Sequence, residues 1–420
     1  MSEQIGGFSR NTDGESLLGG SALKSLLSPQ ITTPAYFYDL SGIFKRVSQI
    51  KAAFGDAPHL IAYAIKANSA ASIVKTVIEA GGGVDAVSGG ELQLALACGA
   101  QSRDVVLSGV AKRDDEIRLA LEKDIQALQA ESVEELQRIA QIAELTSQVA
   151  RVSFRINPSV EIDSHAHIAT GHDKAKFGIS RRDWNAAFAK IKQSPFLQLV
   201  GISTHVGSML KTPASYLRSA KVVCEVAQHA QAEGHQLEYV DFGGGFGIDY
   251  GDGPADPPHH FAAEALGILK TEGLGHLKLV VEPGRSIVGP YGALVAQVIQ
   301  TKVSGARRWA MIDAGMNDLL RPALYGAPHR IEPLSQQPQG EESFRVVGPV
   351  CESTDDFGDH DLCEDPDYVV IRDAGAYAFT MASEYNARPL PDEVFIRDGK
   401  IVHHSPSPGI DSWLAARLKA

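Results

Sequence analysis

A single lysine ends a nearly continuous apolar run, where its charge is unfavourable. Residues 59–65 read His-Leu-Ile-Ala-Tyr-Ala-Ile, and Lys66 follows two residues before Asn68 breaks the pattern. Such a run is typical of a buried parallel strand, in which desolvating an ammonium group costs free energy. The amine of Lys66 therefore either extends into solvent from the strand end or serves as an activated nucleophile.

Polar residues and glycines recur near the ends of the later apolar runs. Each has a simple explanation by itself: a turn with a salt bridge for residues 282–285, a hydrogen-bonded core histidine for His205, and a flexible turn for residues 243–245. The spacing of the three glycines does not match a dinucleotide-binding fingerprint. The alternative is a phosphate site. In barrels built of parallel strands, the loops after the seventh and eighth strands often bind phosphate, because the backbone N–H groups of their glycines can face an anion.

A lysine amine and a phosphate site on one rim together indicate pyridoxal 5′-phosphate, held by Lys66 as a Schiff base. The pyridine nitrogen of this cofactor needs a partner. A carboxylate keeps the ring protonated, as loss of CO2 requires, and Glu282 suits that role.

These residues are positioned by alternating strands and helices, which predict an α/β fold. Eight units in this length favour a closed (β/α)8 TIM barrel, whose active site lies at the carboxyl ends of its strands. We predict barrel strands over 60–66, 84–88, 105–108, 125–128, 151–156, 199–205, 237–242 and 277–282. We predict helices over 72–80, 91–98, 114–123, 133–145, 182–193, 214–233 and 260–272.

The domain prediction has three parts. Residues 1–34 are a loose, Gly- and Ser-rich lead-in that partly joins a β domain, residues 35–289 form the cofactor-binding barrel, and residues 290–420 form a helix-free C-terminal β domain resembling a sandwich or barrel. Its strands are predicted over 293–303, 309–312, 344–347, 368–371, 393–396 and 401–403, with a further strand near 30–40.

Composition and charge limit the partners. The chain has 420 residues and a net charge of −12, without a run rich in Lys and Arg, so neither nucleic acid nor membrane is an expected partner. Its four cysteines contain no Cys-x-x-Cys pair, which predicts no disulfide framework and no metal site and fits the cytoplasm. No signal peptide is recognised at the N-terminus.

Several motifs occur in an order that resembles the fold-type III pyridoxal-phosphate decarboxylases. They are Tyr-Ala-Ile-Lys-Ala-Asn at 63–68, Val-Ser-Gly-Gly-Glu at 87–91, His-Val-Gly-Ser at 205–208, Gly-Gly-Gly at 243–245, Glu-Pro-Gly-Arg at 282–285, Arg-Pro-Ala-Leu-Tyr at 321–325, Cys-Glu-Ser at 351–353 and Asp-Ala-Gly-Ala-Tyr at 373–377. One motif would be weak, but the ordered set is specific and covers most of the chain after residue 34.

The resemblance implies a role for each matching residue. Lys66 is expected to carry the cofactor, His205 to stack on its ring and Glu282 to bind its nitrogen. Cys351 is expected to donate a proton in the site of a partner subunit, which implies a homodimer with shared active sites. The residues expected to bind the cofactor are Lys66, Asp85, Ser88, Arg155, His205, Ser208, Gly244, Gly245, Glu282, Gly284, Arg285 and Tyr377.

The matching motifs also indicate the substrate. Arg285 and Arg321 can bind a distal carboxylate bidentately, and Glu352 can bind a distal ammonium group. With Tyr325 and Tyr377 nearby, they suit an amino-acid group at the far end of the substrate, so the resemblance implies decarboxylation of meso-2,6-diaminopimelate to L-lysine.

Three alternatives remain open. A sibling decarboxylase could act on another carboxylate-bearing amino acid or a carboxylated polyamine. A racemase would favour a cation at the pyridine nitrogen, and a non-catalytic homologue would have lost Lys66 or Cys351, both of which are present. The segment 351–377 is shorter than is usual in the family and reads Thr-Asp-Asp-Phe at 354–357, which leaves the shape of this loop open.

Overall fold

The computed structural model describes residues 7–160, 176–335 and 341–419, which belong to two compact units. One unit consists of Phe44–Ile248 and Pro254–Ser286. The other consists of the residues up to Ile43, the short stretch Asp249–Gly253 and the residues from Ile287 onward. The barrel unit begins at Phe44 and the second unit resumes at Ile287, whereas the predicted domain limits are 35 and 290.

Eight parallel strands in the first unit close into a barrel in chain order. Helices alternate with the strands, and this confirms the predicted TIM barrel. The barrel strands, first to eighth, are His59–Ala64, Gly83–Ala86, Val105–Leu107, Ala127–Ala130, Ala150–Arg155, Leu197–Ser203, Tyr239–Gly244 and Lys278–Glu282. The helices of this part of the chain are Leu40–Phe54, Ala71–Glu79, Gly89–Ala97, Asp114–Lys123, Val133–Leu145, Trp184–Gln193, Ala214–Ala232, Pro258–Thr271 and Arg285–Val288.

The barrel interior is filled by side chains from alternate positions of its strands. One buried apolar cluster draws on six of the eight strands, which is how a TIM barrel packs its centre in layers. The members of the cluster are Leu60, Ala62, Val106, Ala127, Val200, Tyr239 and Val280. Because all the strands run in the same direction, the polar residues at their carboxyl ends share one rim.

The second unit consists mostly of β-sheet, as predicted. The long strand Gly292–Ser304 pairs with Ala35–Asp39, Arg307–Ile312 and Tyr368–Ile371. The remaining strands are Phe8–Arg10, Ser16–Leu18, Ser21–Ala22, Ile331–Pro333, Glu341–Val347, Asp356–Cys363, Asp392–Arg397 and Lys400–Ser405. The six strands predicted after residue 290 are all present.

Two features of this unit differ from expectation. The region after residue 290 is not free of helix, because it also contains Arg321–Tyr325 and Gly409–Leu418. Residues 7–34 are not a loose lead-in: they include a three-stranded sheet and the short helix Leu23–Leu26, and Leu18 joins a buried apolar cluster with Phe37 and Val295. Burial of a few leucines overrides the flexibility that the Gly and Ser content suggests. None of the helices in the described ranges is long and apolar enough to cross a membrane.

Candidate active site

Lys66 lies directly beyond the first barrel strand, in the 3-10 turn Ile65–Ala67. Its Nζ is 3.4 Å from Oδ2 of Asp85, at the end of the neighbouring strand, and 38% of its side chain is exposed. Asp85 is fully buried, and its Oδ1 accepts a hydrogen bond from Ser108 Oγ at 2.5 Å. Burial, reinforced by the charge of Glu282, raises the pKa of Asp85. The lysine amine is therefore held by a buried carboxyl group while it remains accessible at the rim.

The loop after the eighth strand packs against the turn that carries Lys66. The backbone N–H of Ala64 donates to the carbonyl of Pro283 at 3.1 Å. A Cβ at Gly284 would lie 3.1 Å from the Cβ atoms of both Ala64 and Ala67, which is tighter than ordinary contact. Gly284 therefore permits a close approach that fixes the position of the lysine turn.

Glu282 belongs to a buried group of polar side chains inside the barrel. One amide nitrogen, Nε2 of Gln129, donates to Oε1 of Glu282 and to Oδ2 of Asp241, each at 2.9 Å. The other Glu282 oxygen lies 3.6 Å from Nδ1 of His205. The two N–H bonds of this amide thus link the two carboxyl groups.

The two carboxyl groups differ in their pKa values. Burial raises the pKa of Glu282, but the adjacent His205 and Lys66 and the hydrogen bond to Asp241 outweigh it and lower that pKa to about 2. Burial and the charge of Glu282 raise the pKa of Asp241 well above its ordinary value. The surroundings therefore favour the ionised form of Glu282 and the protonated form of Asp241.

Arg155 ends the fifth strand and is fixed by an ion pair. Its NH1 is 2.5 Å from Oε1 of Glu131, and 10% and 4% of the two side chains are exposed. The second carboxylate oxygen of Glu131 accepts from the backbone N–H of Gly178 at 2.6 Å. Both charges are paired, so the guanidinium group has a fixed orientation.

The two serines predicted at the site have different partners. Ser88 is the N-cap of the helix Gly89–Ala97, and its hydroxyl accepts from the backbone N–H of Glu91 at 3.2 Å. Ser208 accepts from NH2 of Arg285 at 3.2 Å. The first contact stabilises a helix end, and the second links the loops after the sixth and eighth strands.

The glycines after the seventh strand allow backbones to approach closely. A Cβ at Gly244 would lie 1.9 Å from the carbonyl oxygen of Glu282, and one at Gly245 would lie 2.0 Å from that of Gly207. Gly245 also has a positive φ of 87°, which other residues rarely adopt. The N–H of Gly244 donates to Nδ1 of His205 at 3.3 Å. No larger residue fits at either glycine without displacing backbone.

Of the predicted substrate residues, Arg285 lies in the barrel unit, whereas the others and Cys351 lie in the second unit. Arg321 opens the helix Arg321–Tyr325 and is buried, whereas Tyr325 is 52% exposed. Tyr377 adopts a positive φ of 54°. Cys351 is exposed, and its backbone N–H donates to Oδ1 of Asn386 at 3.0 Å.

The atypical segment that begins at Cys351 forms a tight loop. The Asp355 carboxylate accepts from the backbone N–H groups of Val350 and Met316, each at 2.6 Å. Glu352, on the same loop, accepts from the hydroxyl of Tyr385 at 2.5 Å. The Asp residues at 355 and 356 thus close the loop and begin the strand Asp356–Cys363.

Some polar residues of the site were missed by sequence reasoning. They share a position in or directly after apolar strands: Gln129 in Ala127–Ala130, Asp241 in Tyr239–Gly244, Ser108 after Val105–Leu107 and Glu131 after Ala127–Ala130. The same signal that singled out Lys66 marks each of them.

Comparison with known proteins places the chain in a family. The model of the pyridoxal-dependent decarboxylase pyridoxal-binding domain matches residues 40–289. This chain belongs to the pyridoxal-dependent decarboxylases. A diaminopimelate decarboxylase of Neisseria meningitidis serogroup A is 39% identical over 372 residues, 88% of this chain and 91% of the relative.

Solved structures agree with this family. The diaminopimelate decarboxylase of Helicobacter pylori complexed with L-lysine has a TM-score of 0.87 at 38% identity, covering 92% of this chain and 97% of that chain. The diaminopimelate decarboxylase of M. jannaschii in co-complex with L-lysine has a TM-score of 0.91 at 30% identity, covering 98% of each.

The protein is therefore an enzyme that depends on pyridoxal phosphate. The barrel has the groups that this cofactor requires. Lys66 has an accessible amine that could hold the aldehyde, and Glu282 has an ionised carboxylate that could hold the pyridine nitrogen. Arg285 and Ser208 place a cation and a hydroxyl on the same rim. These barrel residues therefore have the chemistry needed to hold pyridoxal phosphate.

Proposed function

We propose that this decarboxylase removes CO2 from the D-configured centre of meso-2,6-diaminopimelate and releases L-lysine. The main support for decarboxylation is the ionised carboxylate of Glu282, which lies on the same barrel rim as Lys66. A carboxylate there keeps a pyridine nitrogen protonated, which decarboxylation requires. The substrate is supported by the similarity to diaminopimelate decarboxylases that match about nine-tenths of the chain.

When bound, pyridoxal phosphate supplies a sink for the electron pair released with CO2. Lys66 would hold the aldehyde carbon of the cofactor through its amine. Glu282 would keep the proton on the pyridine nitrogen, and His205 would pack against the ring. Asp85 orients the amine of Lys66, with which it is paired at 3.4 Å.

The remaining cofactor residues hold its outer groups. Ser208, Gly245 and Tyr377 would bind the phosphate end through hydroxyl and backbone N–H donors. Gly244 and Arg285 would belong to the same cofactor pocket. Three further residues complete the cofactor pocket by lining its wall: Ser88, Arg155 and Gly284.

Arg285 and Arg321 bind the distal carboxylate, and Glu352 binds the distal ammonium group, with Tyr325 and Tyr377 beside them. A site with two arginines and one carboxylate discriminates against a substrate whose distal end carries only positive charge, because that end would be repelled by the arginines.

Reprotonation is assigned to Cys351 of the partner subunit, whose thiol gives a proton to the α-carbon after CO2 has left. The enzyme is accordingly a homodimer with shared active sites. Its four cysteines are all free thiols, which suits a reducing compartment such as the cytoplasm.

A substrate panel tests the proposed reaction. CO2 release is measured from meso-diaminopimelate, L-ornithine, L-lysine and carboxynorspermidine at equal concentration. Diaminopimelate is expected to be the preferred substrate. Turnover of carboxynorspermidine or ornithine with diaminopimelate inert would favour a sibling decarboxylase and refute the assignments of Arg285 and Arg321.

Two further measurements test the residues. Borohydride reduction followed by peptide mapping is expected to place the cofactor on Lys66, and label on another lysine would refute that role. Cys351→Ala is expected to lower kcat by about 10²-fold or more, in the range of general acid catalysis, while Cys98→Ala, at a helix end of the barrel, serves as the matched control. Unchanged turnover of Cys351→Ala would remove the proton-donor role.

A further inference from the structure

Arg321 is held by aromatic side chains of its own unit. The guanidinium carbon lies 4.4 Å from the ring centre of Tyr250, in cation–π geometry. Its NH1 lies 2.7 Å from Nε2 of His329, and the other ring nitrogen, Nδ1, lies 2.9 Å from the backbone carbonyl oxygen of Arg372. Arg321 and His329 are 5% and 6% exposed, so these contacts lie away from bulk water.

The two contacts fix the tautomer of His329. An arginine N–H can only donate, so Nε2 of His329 must accept and carries no proton. A carbonyl oxygen can only accept, so Nδ1 must carry the proton and donate to Arg372. The imidazole is therefore neutral, with its lone pair directed at the guanidinium group.

A neutral acceptor has a consequence that a carboxylate would not have. A buried Asp or Glu beside Arg321 would hold the guanidinium group equally well but would cancel its charge. His329 restricts the guanidinium group without itself adding a negative charge beside it. The planar fork is thus oriented before a carboxylate arrives, which reduces the entropy lost on binding.

We propose that His329 is a positioning residue for Arg321 and that, through it, sets the affinity for the distal carboxylate of the substrate. This inference rests on the proposed function, in which Arg321 binds that carboxylate. It adds a specificity residue outside the motifs that define the family resemblance, four residues beyond Tyr325.

The test compares two amides that replace different halves of the imidazole. His329→Gln places an amide oxygen near the position of Nε2, where it can accept from Arg321. His329→Asn reaches only the position of Nδ1, so it keeps the link to Arg372 and offers Arg321 no acceptor. Both variants are prepared as the cofactor-loaded enzyme, with matched cofactor content and melting temperature.

Binding of L-lysine and of 1,5-diaminopentane is measured by calorimetry. L-lysine keeps the distal amino-acid group, whereas 1,5-diaminopentane has no carboxylate and serves as the matched ligand. His329→Asn is expected to weaken L-lysine binding by about ten-fold or more, and His329→Gln by less than about three-fold, as a charged hydrogen bond is lost or kept. Binding of 1,5-diaminopentane is expected to be the same in all three proteins.

Steady-state kinetics give a second readout. His329→Asn is expected to raise KM for meso-diaminopimelate more than it lowers kcat, because the distal carboxylate takes no part in bond breaking. Equal L-lysine affinity in wild type and His329→Asn, or equal losses in the Asn and Gln variants, would overturn the role of His329. An Arg321→Ala variant with unchanged L-lysine affinity would instead overturn the substrate assignment under the proposed function.

Discussion

The stability of the barrel depends on the buried ion pair of Arg155 and Glu131, so replacing one oxygen atom of Glu131 should lower it. In Glu131→Gln the side chain keeps its volume, but the charge that compensates Arg155 is lost. Glu131 now accepts from Arg155 at 2.5 Å and from the N–H of Gly178 at 2.6 Å, and an amide has only one acceptor oxygen for these two donors. Either the guanidinium group or the backbone N–H must lose its partner.

The size of the effect follows from burial. Removing one partner of a buried ion pair costs about 3–5 kcal/mol, and we expect about 3 kcal/mol here because the amide keeps one hydrogen bond. The matched control is Glu238→Gln. Glu238 pairs with Arg151 at 2.5 Å on the same barrel but is 44% exposed, and a surface pair of this kind contributes about 0–1 kcal/mol.

Urea unfolding measures both variants. Glu131→Gln is expected to lower the midpoint by about 1 M or more, whereas Glu238→Gln should move it by a few tenths of that. The cofactor affinity of Glu131→Gln is expected to fall too, since Arg155 belongs to the proposed cofactor residues. Equal midpoints for the two variants would refute the view that burial makes the first pair important.

Two other substitutions follow from the geometry of the rim. Asp241→Asn removes a group whose raised pKa opposes ionisation, but its amide has one acceptor oxygen for the two donors Gln129 Nε2 and Gly243 N–H. Because the pKa of Asp241 is raised in the folded state, wild type loses stability as the pH rises above the unfolded value of about 4. The free energy of unfolding of Asp241→Asn minus that of wild type, measured in urea, should therefore be more positive at about pH 7 than at about pH 4, and a difference independent of pH would contradict this. Gly284→Ala should weaken cofactor binding, measured by fluorescence titration, because its Cβ meets the lysine turn at 3.1 Å. Gly267→Ala, with nothing within 4 Å of its Cβ, should leave binding unchanged and add up to about 1 kcal/mol of stability; equal cofactor affinities in these two variants would contradict the account.

Much of the fold could be predicted from local patterns. Apolar runs separated by helical periodicity identified all eight barrel strands, and the carboxyl ends of parallel strands necessarily share a rim. The helix Leu40–Phe54 and the strand Asp356–Cys363 were missed. The strand has polar, partly exposed residues over most of its length and is defined by pairing with Glu341–Val347 rather than by hydrophobicity.

In the candidate site, too, some features could be predicted from local sequence patterns and others depend on contacts between distant residues. Lys66 and Glu282 could be singled out in the sequence because each is a charged residue at the end of an apolar run, and the structure places both at the rim of the barrel. The contact of Gln129 with both Glu282 and Asp241 could not be predicted, since it joins the fourth strand to the seventh and eighth and depends on barrel closure. The partner of Arg321 lies eight residues away, and only the folded chain reveals that His329 faces it.

The proposed decarboxylation is tested most simply by the product formed from meso-diaminopimelate in heavy water. The cofactor-loaded enzyme is incubated with the substrate, and CO2 and L-lysine are measured together, with deuterium located by mass spectrometry. We expect equal amounts of CO2 and L-lysine, with one deuterium on the carbon that lost its carboxylate. No CO2 from diaminopimelate, or a product other than L-lysine, would contradict the proposed reaction.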